Sequence, residues 1–142
     1  MLTLGLSNKQ KEMHYYLHNA DSFVLVDIET TGFSVQKGAR IIEIAALKYE
    51  KGKIVSGFHQ YVNPEQKIPA KITELTGITN AMVSDKLTII PVMKMFGQYL
   101  GNLPLIAHNK SFDWDRFLQP YLRQAGYAAD NPSICTVELS KL

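Results

Sequence analysis

Long apolar runs are missing from this 142-residue chain. None approaches the ~20 residues that span a bilayer, and the N-terminus lacks the charged-then-apolar layout of a secretory signal. Both gaps point to a soluble, cytoplasmic protein with no membrane partner. Cysteine is nearly absent as well. Cys135 is the only one, which excludes an internal disulfide and any zinc cage built on paired CxxC motifs. Any metal must be held by carboxylates or histidines. Charge of one sign is also scarce, since the net value is only +2. That total neither announces nor excludes a nucleic-acid binder, because local patches matter more. There is no repeat, low-complexity tract or linker, and a second domain of normal size has no room. What remains, 46% hydrophobic and 20% charged residues, is the composition of a chain that folds around one core.

Along the chain, Ser7 to Asn19 carries an N-cap serine and then Met13, Tyr16 and Leu17 at helical spacing, which predicts a short amphipathic helix packed on the domain. Phe23-Val24-Leu25-Val26 has no polar alternation and reads as a central strand buried on both faces. Arg40–Glu50 and Lys53–Val62 form two more strands with Lys51-Gly52 as a hairpin turn. One short helix is expected after Pro69, through Ile72 and Leu75, broken near Gly77. A longer one is expected over Thr88–Leu100, with Ile89, Val92, Met93, Phe96 and Leu100 on one face. Pro104–Ala107 is a fourth strand. Phe112–Ala125 is a helix with Phe117, Leu118, Tyr121 and Leu122 inward and Gly126 at its end, and Ser133–Val137 is a fifth strand. The order βββαβαβ fits an α/β fold, a mixed five-stranded sheet with its first three strands antiparallel and helices on its faces.

Chemistry concentrates in two strings. In Asp27-Ile28-Glu29-Thr30-Thr31-Gly32 the two carboxylates lie two residues apart on a strand, so they project from one face while Ile28 enters the opposite layer. Close carboxylates repel unless a cation joins them or a pKa rises, and hard oxygen ligands suit Mg²⁺ or Mn²⁺. The alternative is that Asp27 caps a turn and Glu29 is a solvated edge charge. The second string, His108-Asn109-Lys110-Ser111-Phe112-Asp113, follows a short apolar strand and puts Asp113 in the first turn of a helix. Ligands collect at such strand ends, although Asp113 could also simply complement the helix dipole, as could Asp115. Glu43, on a strand beside the cluster, orients the site or pairs with Arg40 or Lys48.

Taken together, DIETTG and the downstream HNxxFD resemble the first two motifs of the DnaQ-like, or DEDD, 3′-to-5′ exonucleases. Within that superfamily the chain is similar to the proofreading exonucleases of bacterial DNA polymerase III, of epsilon-subunit or PolC type. The likeness spans about residues 22–140 and includes Arg40–Ala46, Leu75–Thr79 and the Cys135-Thr136 strand end. It implies a ribonuclease H-like fold and two-metal hydrolysis of a 3′-terminal phosphodiester. Carried over by position, it makes Asp27, Glu29 and Asp113 the catalytic metal ligands for Mg²⁺ or Mn²⁺, with the second metal weakly held. Thr30 and Thr31 would meet the terminal nucleotide through backbone and hydroxyl groups. Leu75 and Thr76 would line the site of the terminal base, and His108, Asn109 and Phe112 would surround the second nucleotide.

The resemblance divides the chain into an N-terminal helical extension, 1–21, and an exonuclease domain, 22–142. It implies as partners a single-stranded or frayed 3′ end of DNA, or RNA, and a DNA polymerase subunit. The group's third motif, His-x4-Asp or Tyr-x3-Asp on a helix after the fifth strand, brings the fourth ligand and the general base. His108 and Asp113 have the His-x4-Asp spacing but already belong to the second motif, and no other match occurs in this sequence. The expectation is therefore a slow or silent nuclease. A catalytically impaired nucleic-acid-binding or polymerase-associated module and an exoribonuclease of the same fold are the alternatives, since fold does not fix substrate.

Overall fold

The computed structural model describes residues 21–136 without a break, together with Gly5, Ser7, Asn8 and Lys11. Most of the helix expected over Ser7–Asn19 lies outside the described residues. Within it, Lys11 N donates to Ser7 O at 2.9 Å. Val137, the expected end of the fifth strand, also lies outside them.

Three strands form first. Strand β1 is Ser22–Thr30, β2 is Ile41–Glu50 and β3 is Lys53–Tyr61. The β2–β3 turn needs two residues with positive φ, as in a type I′ hairpin. Lys51 (φ 50°) and Gly52 (φ 77°) supply them. Strands β4 (Leu105–Ala107) and β5 (Ser133–Cys135) complete one five-stranded sheet in the order β3-β2-β1-β4-β5. β1 is central, antiparallel to β2 and parallel to β4. It is not buried on both faces, however. Val24, Val26, Ile28 and Thr30 are buried, whereas Phe23 and Leu25 are half-buried and Asp27 is exposed. Alternation this clean means that helices cover one face fully and the other only in part.

The covered face is packed by α3 (Ile89–Leu100) and by a helix that runs from Ser111 to Gln124. Two shorter helices, α1 (Ala70–Thr76) and α2 (Asn80–Val83), precede α3. Sequence reading anticipates only the first of these. Gly77 ends α1 at φ 77°, and Thr79 then accepts from Met82 N to cap a new helix. Apolar side chains spaced along α3 (Val92, Met93, Phe96 and Leu100) meet Val24, Val26 and Ile28 of β1 and the Trp114, Phe117, Leu118 and Leu122 side of the last helix in one core. The inward positions expected for that helix are all buried. The sheet's other face carries a smaller cluster, Ile106 and Ile134 with Phe23 and Leu25.

Gly97 of α3 marks a close approach. A Cβ there would clash with the ring edge of Tyr127, at Cε2, Cζ and Cδ2; the Tyr127 hydroxyl donates to Lys94 O at 2.9 Å. Gly97→Ala should therefore destabilise the fold by ~1–3 kcal/mol, read as a lower urea midpoint at constant m-value. If midpoint and melting temperature rise instead, helix propensity outweighs the clash.

Candidate active site

The site begins where β1 runs out. Asp27 and Glu29 point to the partly open face because the buried residues alternate with them. Glu29 sits directly opposite Glu43 of β2, and just beyond it the register breaks, Thr30 pairing with Ile41. The extra residue, Ile42, is diverted into a separate cluster with Ile68, Ile78 and Val83. Bulges of this kind bend a strand and re-aim its neighbours, and they gather near active sites. The next loop is tightly pinned. Thr30 Oγ1 donates to Gly32 O at 2.6 Å, and Thr31 Oγ1 accepts from Arg40 N at 2.9 Å and from Gln66 Nε2 at 3.3 Å. Both threonines are buried.

Asp113 arrives from the other side of the strand order. After β4 the chain turns at His108 and Asn109, and Asn109 O accepts from Phe112 N at 3.1 Å and from Asp113 N at 2.9 Å. The helix that starts here is not the regular α-helix expected over Phe112–Ala125. Ser111–Leu118 is π-helical, and only Gln119–Gln124, α4, is α-helical. The wider winding keeps Trp114, Phe117 and Leu118 inward while Asp113, at 5% exposure, is turned in beside β1. Such local widening is common at functional sites.

Electrostatics ties the three acids together. Burial, then the charge of Asp27, then that of Glu29, push the Asp113 carboxyl up from 3.8 to about 7. Glu29 is also raised, by burial first and then by Asp27 and Glu43. Among the described residues no Lys, Arg or His forms an ion pair with Asp27, Glu29 or Asp113. Three mutually repelling carboxylates with no ion-pair partner among the described residues match the donor chemistry of a hard divalent cation. They are neighbours rather than a finished cage, since no three His, Cys, Asp or Glu side chains among the described residues are grouped tightly enough to hold an ion.

The remaining candidates fall into place unevenly. Glu43 bonds neither Arg40 nor Lys48, the partners considered from sequence. It meets His59 Nε2 at 2.7 Å, while Arg40 donates to Ala39 O and Lys48 sits over the Tyr99 ring. His108 Nδ1 lies 2.9 Å from Thr136 Oγ1. Phe112 stands edge-on to Phe33 at 6.2 Å. Thr76 spends its hydroxyl on Ile72 O at 2.8 Å, and Leu75 stands 71% exposed. A groove of about 830 Å³ opens along the sheet between Asp27, Ala45, His59, His108 and Thr136. It borders Asp27 but not Glu29 or Asp113. Asp27 is thus the acid shared by groove and cluster. Sequence reading missed His59 and Arg116, whose Nη1 donates to Phe33 O at 2.8 Å. Neither belongs to a recognisable motif.

A family model described as Exonuclease, of the RNase T type, matches residues 24–142. The chain belongs to this exonuclease family. It is 46% identical over 121 residues to the PolC-type DNA polymerase III of Clostridium perfringens, covering 85% of this chain and 8% of that protein. It is 41% identical over 125 residues to the 3′-5′ exonuclease DinG of Bacillus subtilis, covering 87% of this chain and 13% of that one. The chain thus spans about a tenth of the length of these relatives. Exonuclease X, solved with 5′ overhanging duplex DNA, superposes with a TM-score of 0.66 at 30% identity, over 84% of this chain and 62% of that one. Product-bound exonuclease I gives 0.71 at 15% identity, over 85% and 31%, and supports the ribonuclease H-like fold alone. The chain is an exonuclease domain homologous to those of PolC-type polymerases.

Proposed function

We propose that this domain is a divalent-metal-dependent 3′-to-5′ exonuclease of the proofreading kind, acting on the single-stranded or frayed 3′ end of DNA. The observation that carries the reading is the gathering of Asp27, Glu29 and Asp113 at one strand end, with no ion pair to a Lys, Arg or His among the described residues. These three residues would hold Mg²⁺ or Mn²⁺. When bound, a pair of such ions activates water and stabilises the leaving oxygen of an in-line displacement.

The chain's own groups do the rest. Thr30 retains hydroxyl lone pairs, and Thr31 its hydroxyl proton, for the terminal sugar and phosphate beside the acids. Exposed Leu75 offers an apolar surface to a base, a contact that tolerates every sequence, as an exonuclease requires. His108, Asn109 and Phe112 would surround the second nucleotide. DNA rather than RNA, and a DNA polymerase as partner, are favoured by what the PolC-type relatives are and by what Exonuclease X was solved with. No described helix is long and apolar enough to cross a membrane, in keeping with a place in the cytoplasm.

End-labelled single-stranded DNA and RNA, incubated with Mg²⁺ or Mn²⁺, test this directly. The expected result is a slow ladder shortening from the 3′ end of DNA, slow because the residues proposed here include no general base, and slowed a further ~10²–10³-fold by Asp27→Asn, the range for removing one preorganised electrostatic group. Retention of the strand without shortening would replace the enzyme by a binding module. Preferential shortening of RNA would make it an exoribonuclease.

A further inference from the structure

Two elements must stay together for the acids to act as one site: the end of β1 with its loop, carrying Asp27 and Glu29, and the π-helical segment carrying Asp113. Their like charges drive them apart. The loop is held to β2 through the Arg40 contacts of Thr31, and to Gln66. None of these bonds reaches the π-helical segment. Among the described residues, a single hydrogen bond joins loop residues 31–34 to segment 111–118, from Arg116 Nη1 to Phe33 O at 2.8 Å. The guanidinium also lies over the ring of Phe112, 5.5 Å from its centroid, and that ring meets Phe33 edge-on. The neighbouring acid, Asp115, is taken by Lys110 at 3.4 Å, which leaves Arg116 to the loop.

We infer that Arg116 is a positioning residue for the exonuclease reaction, a clamp that binds the loop after β1 to the segment bearing Asp113 and so sets the gap that the metal ions must bridge. The inference rests on the metal-dependent reading above. Arg116 lies one helical step from Asp113 and reaches across to a main-chain carbonyl. A charge-assisted bond to a carbonyl is strong for its size, and the planar guanidinium can bond Phe33 O and cover the Phe112 face at once. A lysine ammonium cannot do both equally well. Because Arg116 is exposed, its loss should cost little fold stability. The loss would fall on geometry, where a misplacement near 1 Å costs about 10²-fold in rate.

The test compares the parent protein with Arg116→Ala, Arg116→Lys and the control Arg123→Ala, which removes a similar exposed bond, to Ala128 O at 3.2 Å. Three readouts are taken: amide hydrogen exchange at Phe33 and Ser34, the Mn²⁺ concentration that half-saturates the thermal shift, and kcat with KM on single-stranded DNA. Arg116→Ala should speed exchange in the loop and raise the Mn²⁺ requirement about 10-fold. It should lower kcat ~10- to 100-fold with KM little changed, with partial recovery in Arg116→Lys and no effect in Arg123→Ala. Unchanged exchange and Mn²⁺ requirement in Arg116→Ala would overturn the inference. So would a rise in KM alone with a shallower salt dependence, the mark of a lost phosphate contact. A parent protein that neither shortens DNA nor gains stability from Mn²⁺ would instead overturn the proposed function, and loop exchange would then decide the clamp by itself.

Discussion

Asp113→Asn should act in opposite directions on activity and on stability. Exonuclease activity should fall ~10²–10³-fold, because on the proposed reading the variant removes a charge that the reaction would need at a fixed place. The metal-free protein should nevertheless melt higher than the parent in EDTA. The carboxylate of Asp113 is buried beside Asp27 and Glu29, and its pKa is pushed up to about 7. An uncharged amide of the same shape escapes both burial of charge and repulsion. Active sites commonly sacrifice stability in this way.

The pH dependence gives the sign independently. In the unfolded chain an aspartate releases its proton near 4, while native Asp113 holds its proton until about pH 7. Between those values the native state binds more protons than the unfolded one, so stability falls as pH rises. Below pH 4 the group is protonated in both states, and parent and variant should melt alike as far as this residue is concerned. The advantage of Asp113→Asn should therefore appear as pH climbs from about 4 to 7 and level off above. Saturating Mn²⁺ should reverse the order, since a ligand that binds only the native state adds RT ln(1 + [L]/Kd) and the parent binds it better. A variant that melts lower than the parent in EDTA at pH 8 would show that the Asp113 carboxylate is structural rather than held against its own repulsion.

The sequence could reveal what is written in local periodicity and could not reveal what depends on register. The β1 strand, the Lys51-Gly52 turn and the inward face of α3 all follow from spacing. Asp27 and Glu29 share a face for the same reason. The Glu43–His59 pair was hidden because the hairpin slips. Counting back from the turn puts Glu43 opposite Gln60, but a register shift between Lys48 and Tyr49 places it opposite Tyr61, with His59 diagonal to it. One residue of slip reverses which side chains share a face, and nothing in Lys53–Tyr61 announces it. The π-helical winding was equally invisible, because Phe117, Leu118, Tyr121 and Leu122 have acceptable α-helical spacing. The bond from Arg116 to Phe33 joins residues 83 apart in sequence, through a main-chain carbonyl that leaves no trace in residue type. The family motifs point to the acids. Tertiary register decides what surrounds them.

Trp114→Ala should be among the costliest single changes to the fold, at ~3–5 kcal/mol against a typical total of ~5–15 kcal/mol. Trp114 is 2% exposed and lies in the main core with Phe117, Leu118 and the buried side chains of α3. The loss should lower the melting temperature by roughly 10 °C or more for a domain of this size. Trp114 is the only tryptophan, so circular dichroism rather than intrinsic fluorescence must follow the transition. Trp114→Phe, which keeps an aromatic ring in the cavity, should recover much of the loss. The functional consequence comes from position: Trp114 follows Asp113 directly in the π-helical segment, so seating its ring in the core with the β1 side chains helps to fix where Asp113 stands. At a temperature where Trp114→Ala is still folded, its Mn²⁺-dependent thermal shift should be reduced together with its activity. A folded Trp114→Ala protein that keeps the parent's Mn²⁺ response would mean that Asp113 is placed by the Asn109 turn and the Arg116 contact alone, without help from the core.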